Sequence, residues 1–138
     1  MEKLSGGCRC GAIRYECGAE PLAVSFCYCR DCQRASGGPF CNYAVVPEEA
    51  VTITKGYPKK YVVQADSGNT VQREFCAECG APLFARNGKV FVLTVGSLDD
   101  ARQIAPTIAI WLDSAHPWAP IPEQVERFRQ NPPITLGE

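Results

Sequence analysis

The amino-acid sequence predicts a mainly β fold of short antiparallel sheets with short helices at most. Several segments alternate apolar and polar residues with a period of two, and others are short runs rich in β-branched and aromatic residues. Turn signals containing glycine separate these segments. The chain has 138 residues, a length typical of one domain, so we expect residues 1–138 to form one domain.

Each strand is predicted from its local pattern. Alternation predicts strands at residues 12–17, 60–65 and 70–75, and short β-rich runs predict strands at residues 40–46, 51–54, 90–95 and 108–112. The segments DSGN and RNGK at residues 66–69 and 86–89 predict hairpin connections, the second a type I′ turn at Asn87 and Gly88.

Helix is predicted in two short pieces. One covers residues 31–35, directly after a group of three cysteines. The other covers residues 123–128, where Pro122 can begin a helix and Pro132 with Pro133 would end it.

Charge and hydropathy exclude two classes of partner. The formal net charge is −1, whereas a nucleic-acid-binding domain normally carries a basic excess. No apolar run is long enough to span a bilayer. The N-terminal residues lack the apolar core of a signal peptide, so we expect a cytoplasmic location.

Nine cysteines are the most informative feature of the composition. A secreted disulfide scaffold is disfavoured by the odd number, the lack of an export signal and the tight C-x-C and C-x-x-C groups. In a reducing compartment, clustered thiols are more often metal ligands or redox centres.

Two cysteine pairs predict a structural zinc site. Cys8 and Cys10 form a C-x-C pair, Cys76 and Cys79 form a C-x-x-C pair, and a glycine follows each pair at once. Glycine adopts the positive φ that a metal-binding turn often needs. Four thiolates make the closed tetrahedral set of a structural zinc ion.

A second group predicts an open zinc site. Cys27, Cys29 and Cys32 form C-x-C-x-x-C, and three thiolates with a vacant fourth position are typical of a catalytic zinc. Cys17 and Cys41 lie in strand-like runs, where a lone cysteine is usually a small buried hydrophobe. The one histidine, His116, lies in a loop and is expected to be an exposed side chain.

The order of these motifs resembles the glutathione-dependent formaldehyde-activating enzyme family. The blocks that carry the resemblance are GGCRCGAIRYEC at 6–17, CYCRDCQRASGG at 27–38, FCAECGAPLF at 75–84 and IWLDSAHPW at 110–118. The match covers nearly the whole chain, and seven cysteines in this order are specific.

The resemblance implies a zinc-containing fold of antiparallel sheets called a β-tent, with two zinc ions per chain. It implies structural ligands at Cys8, Cys10, Cys76 and Cys79, and an open site at Cys27, Cys29 and Cys32. The family reaction joins glutathione and formaldehyde to S-hydroxymethylglutathione, which is classified as carbon–sulfur lyase chemistry in reverse. This sequence departs from the family at Tyr28 and Ala109, where histidines are usual.

An open three-thiolate zinc suits an incoming thiol, because coordination deprotonates the thiol and makes it a nucleophile for a small carbonyl. We therefore expect catalytic roles for the three open-site cysteines and a glutathione-like thiol with a small aldehyde as substrates. Arg34, Ser36 and Gly37 are candidates for substrate binding, through carboxylate recognition or backbone N–H groups. Two alternatives stay open: a zinc-stabilised protein-binding module, and a redox sensor in which the triplet forms a disulfide when metal is lost.

Overall fold

The computed structural model describes residues 3–132. Within this range, strands account for most of the regular structure, and the one α-helix, α1, spans Arg30–Ser36. Short 3₁₀ turns cover Glu48–Ala50, Val95–Ser97 and Leu112–Ser114. The strands are β1 (Leu4–Gly7), β2 (Arg14–Cys17), β3 (Ala23–Cys27), β4 (Cys41–Val45), β5 (Val51–Lys55), β6 (Lys59–Gln64), β7 (Thr70–Phe75), β8 (Pro82–Asn87), β9 (Val90–Thr94), β10 (Ile108–Ile110) and β11 (Glu126–Arg127).

The strands form two sheets. A three-stranded antiparallel sheet has the order β1-β2-β5, and an eight-stranded sheet has the order β11-β10-β3-β4-β9-β8-β7-β6. Strand β10 pairs in parallel with both β3 and β11, and the other pairs of the large sheet are antiparallel. The predicted mainly β class is confirmed, with this parallel edge added to the expected antiparallel pattern.

The main core lies between the two sheets. Tyr15 of β2 packs edge-on against Phe84 of β8, with ring centroids 4.9 Å apart. Ile13, Leu83 and Leu93 are almost fully buried in the same cluster. Burial of these side chains supplies the main driving force that holds the small sheet on the large one.

All seven predicted strands are present, and four further strands, β1, β3, β8 and β11, were not predicted. Strand β1 has the sequence LSGG, whose glycines hide any alternation, and β8 begins with Pro82, a residue rare in strand interiors. Strand β3 is buried at four of its five positions, and such a strand does not alternate in polarity.

The predicted helix at 123–128 is wrong. Backbone N–H groups of Glu126 and Phe128 donate to the carbonyls of Thr107 and Ala109, at 3.1 and 2.9 Å. These hydrogen bonds place the segment beside β10 as the edge strand β11. Pairing with a distant strand thus overrides the local helix signal. Of the two prolines predicted to end the helix, Pro133 lies outside the described residues.

Both predicted hairpin connections are present, but the second turn is shifted. Asn87 pairs with Val90, so Gly88 and Lys89 are the central residues. Gly88 has φ 63°, and Trp111 is the one non-glycine residue of 3–132 with positive φ. Positive φ at the first central position alone is the pattern of a type II′ turn, so the predicted type I′ turn is wrong.

One face of the large sheet forms the floor of the functional site. Side chains alternate across a strand, and residues in register on neighbouring strands share a face. The site is lined by one face of the sheet, which carries Ser25, Cys27, Tyr43, Val45, Val71, Arg73, Ala85, Val90, Val92, Ile108 and Ile110.

No helix among residues 3–132 is long and apolar enough to cross a membrane.

Candidate metal centres and the adjoining cavity

Four cysteines from distant parts of the chain form the first candidate metal centre. The Sγ atoms of Cys8, Cys10, Cys76 and Cys79 all lie within 4.8 Å of one another. Cys10 Sγ lies 3.7 Å from Cys8 Sγ and 3.8 Å from Cys76 Sγ. A tetrahedral zinc with Zn–S bonds of about 2.3 Å separates its sulfurs by about 3.8 Å, so this group fits a four-coordinate zinc.

The two turns that carry these cysteines are shaped by glycine and by backbone amides. Gly11 and Gly80 have φ of 81° and 79°, as predicted. The Ile13 N–H donates to Cys8 Sγ at 3.2 Å. Backbone N–H groups of Ala81 and Cys10 lower the pKa of Cys79 to about 6. Donors aimed at sulfur favour the thiolate, which is the form that binds metal.

The second candidate centre lies where β3 ends and α1 begins. The Sγ atoms of Cys27, Cys29 and Cys32 lie within 4.8 Å of one another, and all three residues are buried. Cys29 is the N-cap of α1, with its Sγ accepting from the Cys32 N–H at 3.4 Å. The Cys27 thiol donates to Cys29 Sγ at 3.5 Å and, with Cys32, lowers the pKa of Cys29.

Among the described residues, no further cysteine, histidine or carboxylate joins the triplet. Cys41 is the nearest candidate, since it is the cross-strand partner of Cys27, but its Sγ donates to the Cys32 carbonyl at 3.1 Å. Cys17 is fully buried elsewhere in the core, and His116 stacks on Trp118 with centroids 5.0 Å apart. The triplet therefore has the donor set of an open metal site.

Tyr28 and Ala109 lie on the face of the large sheet that points away from the triplet. Ala109 is fully buried and pairs in register with Phe26, whereas its neighbours Ile108 and Ile110 face the cavity. Tyr28 is also fully buried, and its Oη donates to the Pro120 carbonyl at 2.6 Å. Both positions that depart from the family pattern are thus filled by packing residues.

A cavity of about 380 Å³ opens above the triplet. Its volume falls within the range of about 300–1,000 Å³ that is usual for small-molecule sites. The large sheet provides the floor, and the start of α1, the β6–β7 hairpin and Trp111 provide the walls. All three cysteines of the triplet line this cavity.

Arg73 is the central charged group of the cavity. It is 8% exposed, and its Nη2 donates to Asp31 Oδ2 at 2.5 Å and contacts Cys32 Sγ at 3.8 Å. Its Nη1 donates to Tyr43 Oη at 2.5 Å. The guanidinium therefore joins a carboxylate, a phenol and a thiol of the triplet. Sequence analysis did not identify Asp31 or Tyr43, although Tyr43 shares its strand face with Cys41.

The predicted substrate-binding residues lie at the far end of α1. Gly37 ends the helix with φ 74°, and the Ser36 hydroxyl accepts from the Gly38 N–H at 3.0 Å. Arg34 is exposed, and none of Arg34, Ser36 and Gly37 lines the cavity above the triplet. Ser36 instead lines a second cavity of about 350 Å³, which shares Tyr43 and Arg73 with the first.

Fold and site define a mainly β protein with two cysteine groups of the metal-binding type, one closed and one open. The sequence model of the glutathione-dependent formaldehyde-activating enzyme family matches residues 3–114. The chain belongs to this family.

Three fungal relatives carry the provisional name of glutathione-dependent formaldehyde-activating enzyme. The protein of Fusarium vanettenii is 31% identical over 85 residues, covering 55% of this chain and 45% of the relative. The protein of Penicillium rubens is 33% identical over 91 residues, 59% of this chain and 47% of the relative. The protein of Talaromyces marneffei is 31% identical over 84 residues, 61% of this chain and 44% of the relative. The chain thus spans about half the length of the curated relatives it matches.

A crystal structure of a Rhodobacter sphaeroides protein has a similar fold. It superposes with a TM-score of 0.57 at 20% sequence identity, covering 76% of this chain and 98% of that protein. At this identity, the likeness concerns the fold.

Proposed function

We propose that this protein is a zinc-dependent enzyme that joins a glutathione-like thiol to a small aldehyde such as formaldehyde. The observation that carries the proposal is a triplet of mutually close thiols that line a cavity of substrate size and have no fourth protein ligand within residues 3–132. The family name and the names of the fungal relatives support the same pair of substrates. The reaction forms one carbon–sulfur bond and is the reverse of a lyase cleavage.

We propose zinc at both centres, because thiolate sets of this kind select zinc among the common metal ions. Cys8, Cys10, Cys76 and Cys79 would hold the structural ion, and Cys27, Cys29 and Cys32 would hold the second. When bound to the triplet, zinc supplies a position at which a substrate thiol is acidified. A reducing compartment such as the cytoplasm would keep all nine thiols available.

The chain's own residues prepare the cavity for this chemistry. Three thiolates concentrate negative charge, and the buried guanidinium of Arg73 lies within 3.8 Å of one of them to offset that charge. Apolar side chains of Val71, Val92 and Ile110 cover the floor. A floor that excludes water strengthens the attraction between the guanidinium and any charge that develops on substrate.

Arg34, Ser36 and Gly37 remain proposed substrate contacts. Ser36 lines the second cavity, which meets the first at Tyr43 and Arg73. A long thiol such as glutathione could therefore place its sulfur at the triplet and its chain toward the end of α1. The exposed Arg34 side chain would then meet a carboxylate of the substrate.

The experiment that tests the proposal follows exchange between formaldehyde and its glutathione adduct by NMR. We expect the wild-type protein to accelerate the exchange and to contain two zinc ions by elemental analysis. Cys32→Ser is expected to lose the acceleration and one zinc ion, because it removes one ligand of the triplet. Cys17→Ser is the control, since Cys17 is buried outside both groups and donates to the Ala19 carbonyl, which a serine hydroxyl can also do.

Absence of acceleration by zinc-loaded wild type would overturn the enzymatic proposal. Retained zinc with no activity would favour the binding module. Reversible zinc loss under mild oxidation, with a disulfide formed in the triplet, would favour the redox sensor.

A further inference from the structure

We propose that Tyr43 is a catalytic residue, which donates the proton that the aldehyde oxygen needs as the thiol adds to the carbonyl carbon. Arg73 is then the positioning residue that holds Tyr43 in place. The inference rests on the proposed function and names the acid of that same site.

Tyr43 lies where the substrate must react. It occupies β4 between Cys41 and Val45, on the face of the large sheet that forms the cavity floor. Tyr43 and Arg73 are the two residues that line both cavities. An aldehyde next to a thiol at the triplet therefore meets the Tyr43 hydroxyl as a neighbouring polar group.

The hydrogen-bond direction at Tyr43 leaves its proton available. A guanidinium can only donate, so the contact between Arg73 Nη1 and Tyr43 Oη at 2.5 Å makes the phenol oxygen an acceptor. The O–H hydrogen therefore points to other acceptors, and within the protein its side-chain neighbour is the Cys41 thiol. Sulfur is a weak acceptor, so a substrate oxygen in the cavity can take this hydrogen in place of Cys41.

Arg73 holds the Tyr43 hydroxyl in place relative to the three cysteines of the triplet. The same guanidinium contacts Cys32 Sγ at 3.8 Å and donates to Asp31 Oδ2 at 2.5 Å. Asp31 and Cys32 belong to α1, whereas Tyr43 belongs to β4. One planar cation thus holds the proton donor and the triplet in a fixed arrangement, and its positive charge stabilises the phenolate left after proton transfer.

The other hydroxyl groups that line the cavity are less suitable. Ser67 lies in the β6–β7 hairpin, where its Oγ accepts from the Asn69 N–H at 3.2 Å. Ser25 lies directly opposite Tyr43 on β3, but no cation contacts its hydroxyl among the described residues. A serine hydroxyl is a weaker acid than the phenol of tyrosine, and without a neighbouring cation its alkoxide is not stabilised.

The proposed step forms one carbon–sulfur bond and converts the carbonyl group into a hydroxyl group. The thiol sulfur forms a bond to the carbonyl carbon, and the π electrons of the carbonyl move to oxygen, which takes the Tyr43 proton. The thiol proton goes to solvent, and the Tyr43 phenolate regains a proton from solvent. The product is a hydroxymethyl thioether, and the reverse sequence releases the aldehyde.

Tyr43→Phe tests the proposal, because it keeps the ring and removes the proton. We expect kcat for the glutathione–formaldehyde exchange to fall by a factor of about 10²–10⁴, the usual size of a general-acid contribution. KM for the thiol and the content of two zinc ions are expected to stay unchanged. Tyr57→Phe is the matched control, since Tyr57 is 93% exposed and lines neither cavity.

The outcomes separate this inference from the proposed function. If Tyr43→Phe keeps the full kcat of an active wild type, the role of Tyr43 is overturned and the proposed function stands. The same conclusion follows if kcat falls in Ser25→Ala and not in Tyr43→Phe. An inactive, zinc-loaded wild type would overturn both. Arg73→Lys tests whether Arg73 positions Tyr43. A partial fall in kcat at unchanged zinc content supports that role, whereas an unchanged kcat contradicts it.

Discussion

At the scale of single residues, Tyr28 shows how a position between two ligands can serve the fold. Its neighbours Cys27 and Cys29 face the cavity, so alternation turns the tyrosine into the opposite side of the sheet. There it is fully buried beside Phe40 and donates to the Pro120 carbonyl. A histidine at this position would likewise lie on the face away from the thiols.

Tyr28→Phe is expected to lower the free energy of unfolding by about 0.5–1.5 kcal/mol, because the Pro120 carbonyl loses its donor while the ring still packs. The measurement is urea unfolding followed by circular dichroism. The rate of thiol–aldehyde exchange should not change. A loss of activity at unchanged stability would contradict a packing role and assign the hydroxyl to the reaction.

At the scale of elements, α1 carries one thiol of the open site, Cys32, between two well-defined caps. Cys29 caps its start and Gly37 ends it in the left-handed conformation, with the Gly37 N–H bonded to the Gln33 carbonyl. A helix of seven residues has few internal hydrogen bonds. Both caps therefore contribute to holding Cys32 in place.

Gly37→Ala is expected to lower the free energy of unfolding by roughly 1–2 kcal/mol, the cost of a left-handed residue that carries a Cβ. A Cβ at Gly37 would meet nothing within 4 Å, so the loss would come from the backbone and not from a clash. Gly18→Ala is the control, because it also has open space and lacks a positive φ. Equal stability of the two variants would contradict this account.

The elements also show where sequence patterns suffice and where they fail. Strands with alternating polarity, such as β6 and β7, were predictable from local sequence alone. The positive φ of the glycine after each cysteine pair was also predictable, because the geometry of the turn requires it. The helix predicted at 123–128 failed because its backbone is paired with β10, a partner that no local pattern contains. Both thiol groups were predictable from spacing, but Arg73 meets Tyr43 and Asp31 across 30 and 42 residues of sequence, and no local pattern specifies such contacts.

At the scale of the whole molecule, the closed cysteine group links the two sheets. Cys8 and Cys10 follow β1 of the small sheet, and Cys76 and Cys79 connect β7 with β8 of the large one. Cys10 and Cys76 are 66 residues apart. A cross-link of this length removes much of the freedom of the unfolded chain. We therefore propose that the described residues unfold as one cooperative unit.

Cys10→Ser is expected to lower the free energy of unfolding by more than about 4 kcal/mol, the range associated with loss of a structural metal. Cys32→Ser is expected to cost less, because its triplet joins residues that are already close in sequence. Urea unfolding of both variants, with zinc counted in each, makes the comparison. A larger loss in Cys32→Ser would assign the structural role to the other group.

The same difference in spacing sets an order of events during synthesis on the ribosome. Cys27, Cys29 and Cys32 emerge together, so a metal can bind them before the second half of the chain exists. The closed group has to wait for Cys79, because chains emerge from the N-terminal end. A nascent chain short of zinc would therefore fill the reactive centre first and the stabilising centre last. Zinc scarcity would then limit the yield of folded protein before it limits the loading of the open site.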